Sequence, residues 1–312
     1  MEHVSYQTDL QKDSNIMRIE KYAAHTKTVD KFMTGVFYGV GGFFILLLLV
    51  LAGYIVIKGM VGFYPELLSF TNDGIGNQFF NTVYLVVLSL LISVPLGMAA
   101  GVYMAEYAKE GKVLRFLRVS IESLSSLPSI VVGLFGYLVF ILMIGAKWNL
   151  MAGALAVSVL SLPLITTTTE DAIRSLPPGY KHGSIAVGAT HWQSIWWVLL
   201  PTAMPRIITG IILAAGRGFG EAAALLYTAG QSTNLNWNNW KLTSPTCPLN
   251  PFRPGETLAL HIWGMRTEGS LNPHATEIAS FSSALLVLMV LCFSLLARFL
   301  SRKLEKRNSG TD

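Results

Sequence analysis

The amino-acid sequence predicts an all-α integral membrane protein with six transmembrane helices. Three observations lead to this prediction: 52% of the 312 residues are hydrophobic, only 13% are charged, and the apolar residues gather in long runs. A soluble domain has about 25% charged residues, so the composition places the chain in the membrane class. We therefore interpret the formal net charge of +5 as an indication of orientation in the membrane and not of a surface that binds nucleic acid.

The apolar runs are assigned as spans because a helix needs about 20 residues to cross a bilayer. We predict spans at residues 36–57, 79–105, 123–146, 148–169, 203–227 and 278–297. Only Lys147 separates the third span from the fourth, so these two are expected to form a tight hairpin. The predicted organisation is a tail at 1–34, a first transmembrane helix at 35–60, a core at 75–300 and a second tail at 301–312.

Lysine and arginine in the loops give the orientation, because cytoplasmic loops carry an excess of them. With both termini inside, the inner segments hold 17 Lys and Arg residues and the outer segments hold 5. This bias predicts that the N- and C-terminal tails are cytoplasmic. An inner stretch at 170–205 and an outer stretch at 231–276 are then the long loops.

The fifth span contains two charges, Arg217 and Glu221. A charge inside a bilayer is costly and commonly marks a functional path. Four residues separate the two side chains, so on one helix they share a face and are expected to pair. Two interpretations follow: either Arg217 and Glu221 line a substrate path, or they form an internal ion pair that only fixes helix packing.

The third span begins with a possible helix break at Pro128, among Ser125, Ser126 and Ser129. Proline removes a backbone donor and its ring clashes with the preceding turn. Either a broken helix presents free backbone donors to an anion, as in other transporters, or the helix is kinked and packed, with serines bonded to their own backbone.

The inner loop is predicted to be a helix–turn–helix at the membrane surface. Pro177 and Pro178 end the fourth helix, and residues 180–187 form a short helix. Gly188 allows a sharp turn, Thr190 caps a second helix over residues 191–200, and Pro201 marks re-entry into the membrane. Apolar anchors for another surface are expected at Ile185, Val187, Trp192, Ile195 and Trp196. A loop that touches only lipid is the alternative.

The stretch GATHWQSIWWVLLPTAMP, residues 188–205, resembles the EAA loop of ABC importer permeases. Gly188, Leu200 and Pro201 match its frame, whereas the Glu-Ala-Ala positions fall on residues 182–184, where the glutamate is absent. The resemblance implies a type I ABC importer permease fold, with a cytoplasmic coupling helix that docks on an ATPase. The coupling loop would contain Tyr180, His182, Gly183, Ser184, Ile185, Ala186, Gly188, Ala189, Thr190 and Trp192.

Three further stretches resemble the PstA family of phosphate-importer permeases. They are LPSIVVGLFG at 127–136, GRGFGEAAALLYTAG at 216–230 and NPFRPGETLALHIW at 250–263. The resemblance implies uptake of inorganic phosphate through a bacterial inner membrane. The implied partners are a PstC-like permease, a PstB-like ATPase dimer and a PstS-like phosphate-binding protein.

The sequence lacks a nucleotide-binding loop, since the pair Gly111-Lys112 has neither the following Ser or Thr nor the preceding glycine of that motif. ATP and Mg are therefore expected on the partner ATPase, with no cofactor, metal or catalytic residue in this chain. Three alternatives stand beside the phosphate permease: a permease for another oxyanion such as molybdate or sulfate, a secondary carrier that works without ATP, and an integral membrane enzyme. No metal cluster or nucleophile–base arrangement in the sequence favours the last of these.

Overall fold

The computed structural model describes residues 2–63, 65–71, 74–232, 234–267 and 274–309, and in these ranges every regular element is a helix. We number the helices in chain order. They are α1 (Glu2–Val61), α2 (Gly76–Tyr107), α3 (Lys112–Ser126), α4 (Ser129–Leu142), α5 (Leu150–Arg174), α6 (Pro178–Ala186), α7 (His191–Phe219), α8 (Ala223–Thr228), α9 (Leu258–Thr267) and α10 (Ala275–Ser309). A short 3-10 helix, Pro65–Leu68, lies between α1 and α2.

The chain divides into two compact units, Met1–Tyr54 and Ile55–Asp312. In the first unit, α1 is one continuous helix, so the predicted tail and first span join without a break. Its apolar side chains, among them Phe37, Phe44 and Leu48, are exposed. The stretch Val29–Val61 has the length and hydropathy of a membrane span and contains the predicted span at 36–57.

Helix α5 is the centre of the second unit and packs against α2, α4, α7 and α8. Small residues let α2 and α5 approach closely: a Cβ added at Gly101 would lie 2.6 Å from Cβ of Thr169. Close approach of this kind is how helices associate in a bilayer, where dispersion contacts replace the hydrophobic effect. Leu85, Leu150, Val157 and Leu225 form a buried apolar cluster within this packing.

Three more predicted spans coincide with long apolar helices. Gly76–Tyr107 contains the predicted span 79–105, Leu150–Arg174 holds nearly all of 148–169, and Ala275–Phe299 contains 278–297. Within the part of the chain that the structure describes, five helices are long and apolar enough to cross a membrane, or six if the bent pair described next counts as one span.

The third predicted span, 123–146, is corrected by the structure. Helix α3 ends at Ser126, and the chain bends by 98° before α4 begins at Ser129. The bend falls at Leu127-Pro128, where Leu127 is extended, as the residue before a proline prefers. Hydroxyl Oγ of Ser126 donates to the carbonyl of Ser123, 2.8 Å away, so this serine is bonded to its own helix.

The fifth predicted span, 203–227, is also corrected. Helix α7 begins at His191 and ends at Phe219. Pro201 and Pro205 lie inside it and do not mark a boundary. A π-helical turn at residues 195–199 lies just before Pro201, and single π-helical turns occur inside α-helices without ending them.

Candidate functional site

Arg217 and Glu221 lie close in sequence but do not share a helix. Helix α7 ends at Phe219, Gly220 follows as its cap, and α8 begins at Ala223. No ion pair joins the two side chains in the part of the chain that the structure describes. The predicted i,i+4 pair is therefore wrong, because the helix that would have aligned the two charges ends between them.

The two charges have different surroundings. Arg217 is exposed, and its Nη1 lies 3.5 Å from the carbonyl oxygen of Leu160 on α5. Glu221 is only 9% exposed, and its Oε1 accepts a 3.1 Å hydrogen bond from the backbone N–H of Ala224. That carboxylate therefore supports the start of α8, where the helix dipole favours negative charge, and Arg217 keeps an unneutralised charge.

Arg217 lies on an exposed strip of α7 that also contains Arg206 and Leu213. Leu213 lies seven residues after Arg206, which is close to two helical turns, and Arg217 lies four residues further, which is close to one turn. The three side chains therefore lie on one face of α7. Leu213 is exposed although it lies in the middle of an apolar span. Within the isolated chain this strip is therefore available to a partner or to a transported solute.

The inner loop has the predicted helix–turn–helix form. Gly188 connects its two arms with φ of +93°, a left-handed conformation that L side chains rarely adopt. Thr190 Oγ1 accepts from the backbone N–H of Gln193, and Gln193 Oε1 accepts from the backbone N–H of Thr190. This reciprocal capping box fixes the start of α7.

Side-chain contacts hold the loop against the end of α2 and hold its two arms together. Nζ of Lys181 lies 2.6 Å from Oε2 of Glu106, and Nε2 of His191 lies 3.5 Å from the same oxygen. The two arms meet through the hydroxyls of Ser184 and Ser194, 2.7 Å apart. The loop is thus attached to α2 by an ion pair, and it is joined to α5 and α7 by the continuous backbone.

The loop also exposes several apolar side chains, which we call the apolar ridge. Its exposed members are Tyr180, Ile185, Val187, Trp192, Trp196 and Trp197. Val187, beside the Gly188 turn, is 86% exposed and is the most prominent of them. Ile195, which was also predicted as a surface anchor, is instead buried in the turn that leads into α7.

The other predicted loop residues lie on the same element. His182, Gly183 and Ala186 are exposed, and Ala189 is half-buried beside the turn. His182, Gly183 and Ser184 lie on α6, at the three positions to which the resemblance assigns the Glu-Ala-Ala of the related loop. Trp192 and Trp196 stack with their ring centres 5.7 Å apart, and both line an apolar groove of about 640 Å³ between α7 and α2.

An ionic cluster at the end of α5 was not predicted from the sequence. Glu170, at the end of α5, is buried, and its Oε1 lies 2.8 Å from Nη2 of Arg118 and 3.0 Å from Nε of Arg174. Arg174 also reaches Glu110, 3.4 Å away. The i,i+4 spacing of Glu170 and Arg174 was a visible signal, whereas the contact with α3 depends on the fold.

Arg253 holds the outer loop against α2, a role that was not predicted from the sequence. Arg253, predicted only as an outer charge, is 1% exposed. It donates to the carbonyls of Cys247, Pro248 and Pro254 and, at 2.7 Å, to Oδ1 of Asn81 on α2. Burial lowers the pKa of Arg253 to about 10, so the guanidinium stays protonated at neutral pH and keeps all its donors.

Comparison with known proteins defines the family. The model of the "binding-protein-dependent transport system inner membrane component" family matches residues 93–310. The chain is 46% identical over 288 residues to a probable ABC transporter permease protein, YqgI, of Bacillus subtilis (strain 168), covering 90% of this chain and 98% of the relative. It is 34% identical over 229 residues to the phosphate transport system permease protein PstA of Xylella fastidiosa (strain 9a5c), covering 73% and 74%.

Solved structures agree with this assignment at the level of the fold. A chain of a bacterial alginate ABC transporter superposes with a TM-score of 0.62 at 17% identity, covering 87% of this chain and 95% of the other. A chain of the MetNI methionine ABC transporter superposes with a TM-score of 0.55 at 17% identity, covering 78% and 99%. Proteins of this class are transport subunits, and ATP hydrolysis takes place on a separate chain. The protein belongs to the family of inner membrane components of binding-protein-dependent transport systems and has the type I ABC importer permease fold.

Proposed function

We propose that this chain is a PstA-like permease subunit that carries inorganic phosphate into the cell, driven by ATP hydrolysis on a partner. The main support is the 34% identity to a PstA over 73% of the chain. Further PstA relatives from Mycobacterium bovis and Haemophilus influenzae are each 33% identical over 229 and 165 residues, respectively.

Arg217 is the proposed contact with phosphate on the transport path. Its guanidinium is exposed on α7, and Glu221, the nearest acidic residue in the sequence, is occupied at the start of α8. A planar guanidinium matches the oxygens of an oxyanion through two parallel hydrogen bonds. An unneutralised arginine in an apolar span is costly unless it faces water, a partner or an anion, and a permeating phosphate meets that requirement.

The inner loop is the proposed coupling element. Its apolar ridge, in which Val187 and Trp197 are the most exposed side chains, would sit in a groove of a PstB-like ATPase dimer. When ATP and Mg bind there and the dimer closes, the loop would move as a body. Because Lys181 is paired with Glu106, that movement would reach α2 as well as α5 and α7.

The complete assembly would contain a PstC-like permease beside this chain and a PstS-like phosphate-binding protein outside. The excess of lysine and arginine in the loop and both terminal tails supports a cytoplasmic position for them. In this arrangement the part of α7 around Arg217 would face the second permease, and the path would run between the two subunits.

Transport by the reconstituted assembly tests the proposal. Proteoliposomes that contain the complex, with the binding protein outside and ATP at the ATPase, should take up radiolabelled phosphate. A tenfold excess of unlabelled molybdate or sulfate should leave that uptake nearly unchanged. The matched control is the same assembly with an ATPase subunit that binds but does not hydrolyse ATP, and its uptake should stop.

Other results would select a different function. Uptake of molybdate or sulfate in place of phosphate would contradict the substrate and retain the ABC permease. Phosphate uptake that continues with the inactive ATPase would contradict the coupling to ATP.

A further inference from the structure

A basic cleft lies between α7 and α10, with its arginine on α7 about three helical turns from Arg217. It has a volume of about 380 Å³ and is lined by three guanidiniums, those of Arg206, Arg298 and Arg302. The hydroxyls of Thr209 and Ser301 lie in the same lining. This volume falls within the roughly 300–1,000 Å³ typical of small-molecule pockets.

The charges in this cleft are not balanced by the chain. Among the described residues no carboxylate lines the cleft, and no ion pair involves its three arginines. Arg298 and Arg302 are four residues apart on α10, a spacing at which like charges repel across one helical turn. Arg206 adds a third positive charge from α7. A bound anion would remove this repulsion.

The surroundings position the cleft for a ligand. Arg206 is held in place because its Nη1 donates to the hydroxyl of Ser175, at the end of α5. The apolar part of α10 ends at Phe299, so Arg298 and Arg302 stand at the end of the span. In a bilayer, that level holds the phosphates of the lipid headgroups, and basic pockets between helices there bind anionic headgroups.

We propose that this cleft binds a phosphate group, carried either by an anionic phospholipid or by inorganic phosphate. Three guanidiniums supply paired N–H donors that fit phosphate oxygens, and the hydroxyl of Ser301 supplies a further single donor. The hydroxyl of Thr209 already donates to the carbonyl of Pro205, 3.1 Å away. This proposal goes beyond the transport role, since it concerns a stationary site and holds whatever solute the importer carries. Its failure would leave the proposed function unchanged.

Binding to the purified full-length chain in detergent tests the site. Native mass spectrometry would measure retention of phosphatidylglycerol against phosphatidylcholine. Equilibrium dialysis with radiolabelled phosphate, at fixed ionic strength, would measure the free ion. The test variant is R298Q/R302Q, which leaves the Arg206–Ser175 contact intact. The matched control is K112Q/R115Q, which removes the same charge from the exposed beginning of α3.

The wild-type chain should bind at least one of the two ligands, and R298Q/R302Q should weaken that binding about tenfold or more, since two charged donors are lost. The control should stay within about twofold. Retention of phosphatidylglycerol alone would identify a lipid headgroup site, and binding of inorganic phosphate would identify a site for the free ion. Arg206→Gln should give a similar loss.

Two results would overturn the proposal. One is a wild-type chain that binds neither phosphatidylglycerol in preference to phosphatidylcholine nor inorganic phosphate. The other is an equal loss in R298Q/R302Q and in K112Q/R115Q, because that would reflect net charge and not the cleft. Size-exclusion elution and the thermal unfolding midpoint of both variants would check that each is folded.

Discussion

At the scale of single residues, Arg217 and Glu221 show that an i,i+4 spacing predicts an ion pair only where the helix is continuous. Four residues separate them, and a continuous helix would pair them. The structure ends that helix at Phe219 and uses the carboxylate to accept from Ala224. The sequence contained a signal for this end, because glycines at 216, 218 and 220 lower helix stability by about 1 kcal/mol each relative to alanine.

Substitutions at Glu221 test this account of the carboxylate. Glu221→Gln keeps an oxygen that accepts from the N–H of Ala224, so phosphate uptake should remain within about threefold of wild type. Glu221→Leu removes the acceptor and leaves a buried N–H unpaired, which costs about 1–3 kcal/mol, so the thermal unfolding midpoint should fall. A loss of uptake in Glu221→Gln as large as in Arg217→Gln would instead favour an ion pair between the two residues.

At the scale of elements, the inner loop was predicted well because its signals are local. Pro177 precedes α6 and Pro178 begins it, Gly188 forms the turn, and Thr190 caps the next helix. The end of that next helix was predicted wrongly at Pro201. A π-helical turn at 195–199 lets α7 continue through the proline, and nothing in the local sequence distinguishes that turn from a break.

The turn at Gly188 gives a prediction with a matched control. Gly188→Ala places a Cβ in a left-handed conformation, which costs about 1–2 kcal/mol, although open space surrounds it. The arms should then be misaligned, and less ATPase should copurify with the permease. Gly183→Ala, also in open space but on α6 without a positive φ, should leave copurification unchanged. Equal copurification of both variants would show that the turn geometry does not matter for docking.

At the scale of the whole molecule, the composition and apolar runs predicted the all-helical class and most of the long helices. They did not predict contacts between distant parts of the chain. Arg253 binds Asn81, 172 residues away, through a buried 2.7 Å hydrogen bond. Glu170 likewise reaches Arg118 on α3, a helix that the apolar pattern had partly merged with the third span. Such contacts follow from the packing of helices and have no local pattern.

The outer loop should depend on Arg253 for its attachment to α2. Arg253→Met fills a similar volume but leaves the carbonyls of Pro248 and Pro254 and Oδ1 of Asn81 without their donor. The carbonyl of Cys247 keeps a second donor, the N–H of Asn250. Buried acceptors left unpaired cost about 1–3 kcal/mol each, so the unfolding midpoint in detergent should fall by several degrees. Lys241→Met, an exposed site in the same loop, should leave the midpoint unchanged. An unchanged midpoint in Arg253→Met would contradict the anchoring role.

Phosphate uptake by Arg217 variants, with ATP hydrolysis recorded in the same proteoliposomes, tests the central claim most directly. The account predicts that Arg217→Gln lowers uptake about tenfold or more while ATP hydrolysis continues, because a charge-assisted contact of about 1.5–3 kcal/mol is lost. Arg217→Lys should fall between Arg217→Gln and wild type, and Arg115→Gln, an exposed arginine elsewhere, should match wild type. Uptake by Arg217→Gln equal to wild type, in an assembled complex, would contradict the claim that Arg217 meets phosphate.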